Sequence, residues 1–278
     1  MRKHIKGIDH VVIAARDLDS IHDSFRRMGF TLTPRGQHTL GSENHCVMFG
    51  DNYLELLMVP QRLPGREYYY DFARIGDGLA AVALKTDNAR GAYGELSAAA
   101  FAPSEPVDFS RPVQLPEGNK TASFRITQLG LEQTPGGQLF LCQHFTRDVV
   151  WRPEYEAHAN TATGLAALAI LSPDVVATAA AYERLFDVKA RTIKEGLLVN
   201  TGDTPIAIVS EAALAKRLPG VWISARHPPC MAALFIHVSD RNIAERSLRA
   251  GGMHPVRMPD GSIAIGAAEA HGVAIIFG

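Results

Sequence analysis

Ile8-Asp9-His10-Val11-Val12-Ile13-Ala14-Ala15-Arg16-Asp17 and its echo Asn52-Tyr53-Leu54-Glu55-Leu56-Leu57-Met58-Val59 decide how this chain is read. Both runs have the apolar character of buried strands. Each carries one residue foreign to an apolar core, His10 in the first and Glu55 in the second. Strand side chains alternate faces, so His10 shares a face with Val12 and Ala14, and Glu55 shares one with Tyr53 and Leu57. Burying a mid-strand carboxylate is costly unless it is paired, hydrogen-bonded or bound to a metal. His10 and Glu55 are therefore the first candidates for a functional site.

Outward from the first run, Asp17 is placed as an N-cap, Leu18, Ile21, Phe25 and Met28 recur at helical spacing, and Gly29 ends the helix. Residues 30–34, 46–49 and 53–59 read as strands, the last two joined by Gly50-Asp51-Asn52. The order then returns. Residues 79–85 lead to a second cap at Asp87, and 165–171 and 231–238 lead to caps at Asp174 and Asp240. Closing strands are expected at 123–129 and 138–145, at 196–200 and 205–209, and at 262–265 and 273–277. This predicts an α+β protein of four strand–helix–strand–strand–strand units. One unit cannot cover both faces of its sheet, so units must pair. Pairing gives an N-terminal domain over 1–150 and a C-terminal domain over 151–278, with the seam in the polar, interrupted stretch 146–163.

With 278 residues, 46% apolar and 21% charged, the chain can build a large core. A net charge of −1 without a basic stripe or a polybasic run argues against nucleic acid and membrane surfaces as partners. No apolar run is long enough to span a bilayer. Cys46, Cys142 and Cys230 are an odd number, far apart, with no Cys-x-x-Cys. That fits free thiols in a reducing, cytoplasmic compartment. No phosphate loop, dinucleotide fingerprint or serine elbow is present.

A fourfold βαβββ pattern with His in a first strand and Glu in a last one resembles the vicinal oxygen chelate superfamily, which includes glyoxalase I, extradiol dioxygenases, fosfomycin-resistance proteins and bleomycin-binding proteins. Ile8-Asp9-His10-Val11-Val12, Gly29-Phe30-Thr31, Asn52-Tyr53-Leu54-Glu55-Leu56, Cys142-Gln143-His144 and Val150-Trp151-Arg152-Pro153 are similar to its glyoxalase-like domain branch. The resemblance is close over about residues 8 to 160 and topological beyond. It implies curled, mixed sheets paired into cups, with the site inside a cup. It also implies a divalent metal as cofactor and a small molecule as substrate; a homodimer stays open.

In that superfamily ligands come from the first and last strands of paired units, places that His10 and Glu55 fill. Counting seven back from Asp87, Asp174 and Asp240 gives Ala80, Ala167 and Ala233, and the counterparts of Glu55 are Phe140, Ala207 and Ile275. The resemblance thus assigns the site to the first half and none to the second. His10 and Glu55 are the expected catalytic pair. His10, Glu55 and His144 are the expected metal ligands, although His144 lies four residues beyond Phe140, roughly 13 Å along a strand. His38 and His45 are the alternatives for the third ligand. His38, Asn44 and Phe140 are expected to contact substrate. The plainer readings are a core histidine at His10 and an ion pair from Glu55 to Arg125. A metal-assisted lyase or isomerase of the glyoxalase-like kind leads; a metal-free binding protein and an iron-dependent ring-cleaving dioxygenase are the rivals.

Overall fold

The computed structural model describes residues 1–115, 118–223 and 226–278. The first half holds β1 (Ile8–Ala14), α1 (Leu18–Arg27), β2 (Gly36–Gln37), β3 (Glu43–Met48), β4 (Tyr53–Met58) and the cover helix α2 (Glu67–Ile75). It continues with β5 (Gly78–Lys85), α3 (Ala89–Ala98), β6 (Val107–Leu115), β7 (Gly118–Gln128), β8 (Gln138–His144) and a short turn of helix, α4 (Arg147–Val150). The second half repeats the order with β9 (Ala162–Leu171), α5 (Val175–Phe186), β10 (Arg191–Ile193), β11 (Gly196–Val199), β12 (Ile206–Val209) and α6 (Glu211–Arg217). Then come β13 (Cys230–Val238), α7 (Arg241–Ala250), β14 (Val256–Arg257), β15 (Ile263–Ile265) and β16 (Ala274–Phe277).

Each half is one eight-stranded mixed sheet, ordered β2-β3-β4-β1-β5-β8-β7-β6 and β10-β11-β12-β9-β13-β16-β15-β14. Within a unit the first and last strands run parallel, as in β1 with β4. Between units the first strands meet antiparallel, as in β1 with β5. The first sheet almost closes on itself, because Thr39 N–H beyond β2 donates to Ser110 O on β6 at 2.9 Å. This is the α+β, paired-cup architecture that the sequence predicts.

Local chemistry explains where the elements begin and where the expectations miss. Asp17, Asp174 and Asp240 cap their helices, each carboxylate accepting from a backbone N–H of the first turn. The second unit departs: Asn88 caps α3 through Gly91 N–H, while the Asp87 carbonyl accepts from Gln143 Nε2. Residues 30–34 form no strand. Thr31 N–H is taken by His158 Nδ1 at 3.0 Å, and Phe30 turns into the core, so pairing starts only at Gly36. β6, β10 and β14 carry exposed polar positions and no apolar run, which is why they were not read.

One continuous core joins the halves. Val11, Ile13, Leu54 and Leu56 on the back of the first sheet and Leu168, Ile170, Ile206 and Ile208 on the back of the second pack with Phe25 of α1, Leu96 of α3, Tyr182 of α5 and Leu248 of α7. The seam also carries specific bonds. Arg27 Nε donates to Gly251 O at 2.8 Å, and a Cβ on Gly251 would lie 1.7 Å from Arg27 O, so only glycine fits there. A groove of about 1170 Å³ runs along this seam. In it His271 Nδ1 sits 2.7 Å from Asp77 Oδ2 and Nε2 3.0 Å from Ser24 Oγ. These polar groups satisfy one another across the halves, which makes them a clasp.

Asp77 gives the clasp a pH dependence. Burial alone would raise its carboxyl, but hydrogen bonds from His271 and the Arg16 N–H hold it below its ordinary 3.8. A lowered carboxyl stabilises the fold above the unfolded value, and that contribution fades as pH falls through the folded one. Asp77→Asn is expected to cost about 1.5 kcal/mol near neutral pH and to flatten the loss of stability toward pH about 3. Urea unfolding across that range checks both.

Candidate functional site

β1 carries the centre of the site, and a bulge decides its geometry. Ile8 pairs with Leu84 of β5, yet His10 already pairs with Ala83, so Asp9 is the extra residue. A bulge interrupts strict alternation and re-aims side chains. Asp9 therefore joins His10 on the inner side of the first sheet. The Ile8 N–H at the bulge is held by Asp203 Oδ1 of the second half at 2.9 Å.

Asp9 is 1% exposed, and its Oδ1 accepts from His10 Nδ1 at 2.7 Å and from His144 Nε2 at 3.0 Å. An ionised carboxylate only accepts, so both nitrogens facing it carry protons. Burial by itself would push the Asp9 carboxyl up. The charge of His144 and the hydrogen bonds from both histidines overrule burial and hold it well below the usual carboxylate range. Asp9 Oδ2 and His144 Nδ1 stay buried with no partner.

With Nδ1 committed to Asp9, His10 turns its Nε2 to Glu55, whose Oε2 is 3.6 Å away. Tyr53 stacks on the imidazole at 4.3 Å and Phe140 meets it edge-on at 5.6 Å, which fixes the ring. Val12, beside His10, pairs with Glu55 across the parallel β1–β4 ladder, so strand register brings the two together. Glu55 Oε1 accepts from Asn44 Nδ2 at 2.6 Å and lies 3.9 Å from His38 Nε2. His38 is steadied by Ser42 Oγ, 2.8 Å from its Nδ1. Burial dominates its protonation: Glu55 opposes, Arg111 and Arg66 reinforce, and His38 is pushed down to about 4, a neutral imidazole at neutral pH.

His10, His38, Asn44, Glu55 and Phe140 all line one cavity of about 50 Å³ inside the first sheet. His144 does not reach Glu55; its Nε2 is spent on Asp9. His45 faces elsewhere, with Nδ1 2.7 Å from Thr33 O and its ring against His22. Arg125 pairs with Asp108 at 2.5 and 2.7 Å, so it is not the partner of Glu55. Sequence reasoning missed Asp9, Arg66 and Arg111. The signal for Asp9 was the one used for Glu55, a carboxylate inside an apolar strand, but strict alternation placed it on the far face. The inner face of the second sheet is apolar, with Ala169, Ala207, Ala233, Ala264 and Ala274 among its residues.

Among the described residues one donor set is close enough to hold a metal. Asp9, Cys142 and His144 place one donor atom each within 4.8 Å of one another. The orphaned Asp9 Oδ2 fits a cation there. Burial first, then the Asp9 and Glu55 charges, pushes the Cys142 thiol well above its ordinary value, so it would ligate only by yielding its proton to the metal. Of these three residues Cys142 alone lines the cavity, so such an ion would sit behind the wall. On the cavity side, His10 Nε2 and His38 Nε2 flank Glu55 at its two different oxygens, 3.6 and 3.9 Å away. Two imidazoles and one carboxylate are a donor chemistry suited to zinc or iron, but the three would have to draw together around one ion.

Asp9→Asn keeps the shape and removes the charge on which both histidines rest. It is expected to destabilise the fold by about 3 kcal/mol, measured by chemical denaturation. The loss should shrink when His144 is also replaced by Gln, because the two changes remove one interaction.

Comparison with known proteins agrees with this geometry. The sequence profile of a glyoxalase-like domain matches residues 8–186. A comparison with curated protein sequences returned no match. Among solved structures, a hypothetical protein from Staphylococcus aureus superposes with a TM-score of 0.68 at 13% identity, over 98% of each chain. A mutant of 4-hydroxymandelate synthase from Streptomyces coelicolor superposes at 0.61 with 14% identity, over 99% of this chain and 93% of that one. A fusion of a xylose isomerase-like TIM barrel with 4-hydroxyphenylpyruvate dioxygenase gives 0.57 at 13% identity, over 98% of this chain and 49% of that one. At such identities the structures share a fold. The profile match spans well over half of the chain, which therefore belongs to the glyoxalase-like domain family.

Proposed function

We propose that this protein is an enzyme that moves a proton on a small oxygenated substrate held in the cavity of the first half, residues 1–150, with the second half, 151–278, as scaffold. The observation that carries this reading is the Asp9–His10 pair aimed at Glu55: a carboxylate fixes Nδ1 at 2.7 Å and leaves Nε2 facing the second carboxylate at 3.6 Å. Among the described residues Glu55 is the one carboxylate lining the cavity. Asn44 holds its Oε1, so Oε2 is the oxygen free to take a proton from a carbon next to a carbonyl. His10 Nε2 shares that proton and returns it to a neighbouring oxygen or carbon. The ring walls of Tyr53, Phe109, Phe124 and Phe140 keep bulk water out.

Drawn together, His10, His38 and Glu55 would hold a divalent ion on the cavity side, and His10 Nε2 would then be a ligand and no longer carry the proton. When bound, such an ion supplies Lewis-acid stabilisation of an enolate or oxyanion. The same residues favour one second reading. Two histidines and a carboxylate also suit a non-haem iron oxygenase, and one structural neighbour carries a dioxygenase in its name.

The test is deuterium exchange from D2O into hydroxyacetone and pyruvate, followed by NMR, on protein purified without chelator and assayed for metal. Exchange above buffer is expected. Glu55→Gln should lower it by about 10²- to 10⁴-fold while the melting temperature holds, and chelator treatment should lower it too. Oxygen uptake in the presence of ferrous iron, with no exchange, would move the assignment to the oxygenase. Tight ligand binding with neither activity would make the protein a binder.

A further inference from the structure

Two guanidinium groups look into the cavity with no anion to meet them. Arg111 on β6 is 6% exposed and Arg66, at the N-terminal end of α2, is half-buried. Both line the cavity with Glu55 and His38. Among the described residues, neither side chain makes a hydrogen bond or an ion pair. Other arginines of the same chain behave differently. Arg62 is matched to Asp71, Arg125 to Asp108 and Arg257 to Glu245, all at the surface.

A buried cation without a counter-ion is among the more costly features a fold can carry. Glu55 does not relieve it: its Oε1 is taken by Asn44 and its Oε2 faces His10. Among the described residues, two guanidiniums against one carboxylate leave the lining positive. The wall is also shaped around this arrangement. A Cβ on Gly36 would lie 2.5 Å from Asn44 Oδ1 and 3.2 Å from Arg111 Nη1, so the glycine makes room for both. Phe109 stacks on Phe124 at 4.9 Å and meets His38 edge-on at 5.5 Å, which narrows the space beside Arg111.

We propose that the cavity takes its substrate by a carboxylate: a small carboxylic acid with an oxygen on the neighbouring carbon. This rests on the proton-transfer reading and names its substrate class. The planar carboxylate matches the guanidinium fork of Arg111, with Arg66 closing from α2. The neighbouring oxygen turns to His10 and Glu55. The cavity's 50 Å³ corresponds to about four waters, room for a molecule of about six non-hydrogen atoms.

Lactate and lactamide differ only in the group at issue, and calorimetric titration of the full-length protein with each tests the proposal. Lactate should bind at least about tenfold more tightly than lactamide. Arg111→Gln should weaken lactate roughly tenfold, bring the acid and the amide together, and raise the melting temperature of the ligand-free protein, since an unpaired charge has gone. Arg66→Gln should weaken lactate less. Equal binding of acid and amide, indifference of Arg111→Gln, or preference for inorganic phosphate over lactate overturns the proposal. The two readings fail separately. Lactate binding that survives Glu55→Gln, with proton exchange absent from the native protein, keeps the anion site and removes the enzyme. Hydroxyacetone exchanged as readily as pyruvate keeps the enzyme and removes the anion site.

Discussion

The Asp9 carboxylate is the constraint from which the site follows. A buried charge in the first strand of a sheet is tolerable only when it is matched, and here one oxygen gathers two imidazole N–H groups. That contact orients the His10 ring, and the orientation turns Nε2, not Nδ1, to Glu55. It also explains the position of His144. β1 starts where β5 ends, β8 runs parallel to β5, and Lys85 pairs with Cys142. By register Asp9 lies level with residues 140 and 141 of β8, so His144, further along, reaches back to it. Phe140, the expected counterpart of Glu55, instead shares the row of Ala83 and His10.

Much of the fold was legible because it is written in periodicities. The apolar first strands and three of the four capping aspartates stand where the sequence places them. The failures share a cause: each depends on something other than local pattern. β6 is a polar edge strand, recognisable only once β7 lies beside it. Residues 30–34 are apolar because Phe30 packs on Phe25 and Phe277, a tertiary reason to be buried that mimics a strand. The cap moved from Asp87 to Asn88 because both residues can cap and the end of β5 decides which one is in place. In the site, His10 and Glu55 were visible as polar residues in apolar runs. Asp9 was hidden by the bulge, which no period-two reading contains, and Arg111 by the edge strand that carries it.

The two sheets have the same strand order, yet only the first encloses polar groups. Its edges meet at Thr39 and Ser110, α2 covers its mouth, and charged groups line what remains. In the second, alanines and aliphatic residues fill the same face. An apolar filling is the stable default for such a concave surface, since it needs no partners. The polar lining of the first sheet is the costlier solution, and a residue set that costs stability without binding anything has no physical reason to persist in this form.

The second half nevertheless acts on the site through the seam. Asp203 holds the Ile8 N–H where the bulge begins, and Asn52, at the turn before Glu55, accepts from Leu165 N–H at 3.1 Å. Both strands that deliver the central pair are thus tethered at one end by the other sheet. A bulge is a locally weak point in a ladder, because it leaves a residue unpaired. Fixing its first amide from outside removes the freedom by which β1 could slip one residue and return Asp9 to the far face. The continuous core between the sheets makes that tether rigid. The geometry at Asp9 is therefore a property of both halves together, although every group that touches the cavity comes from the first.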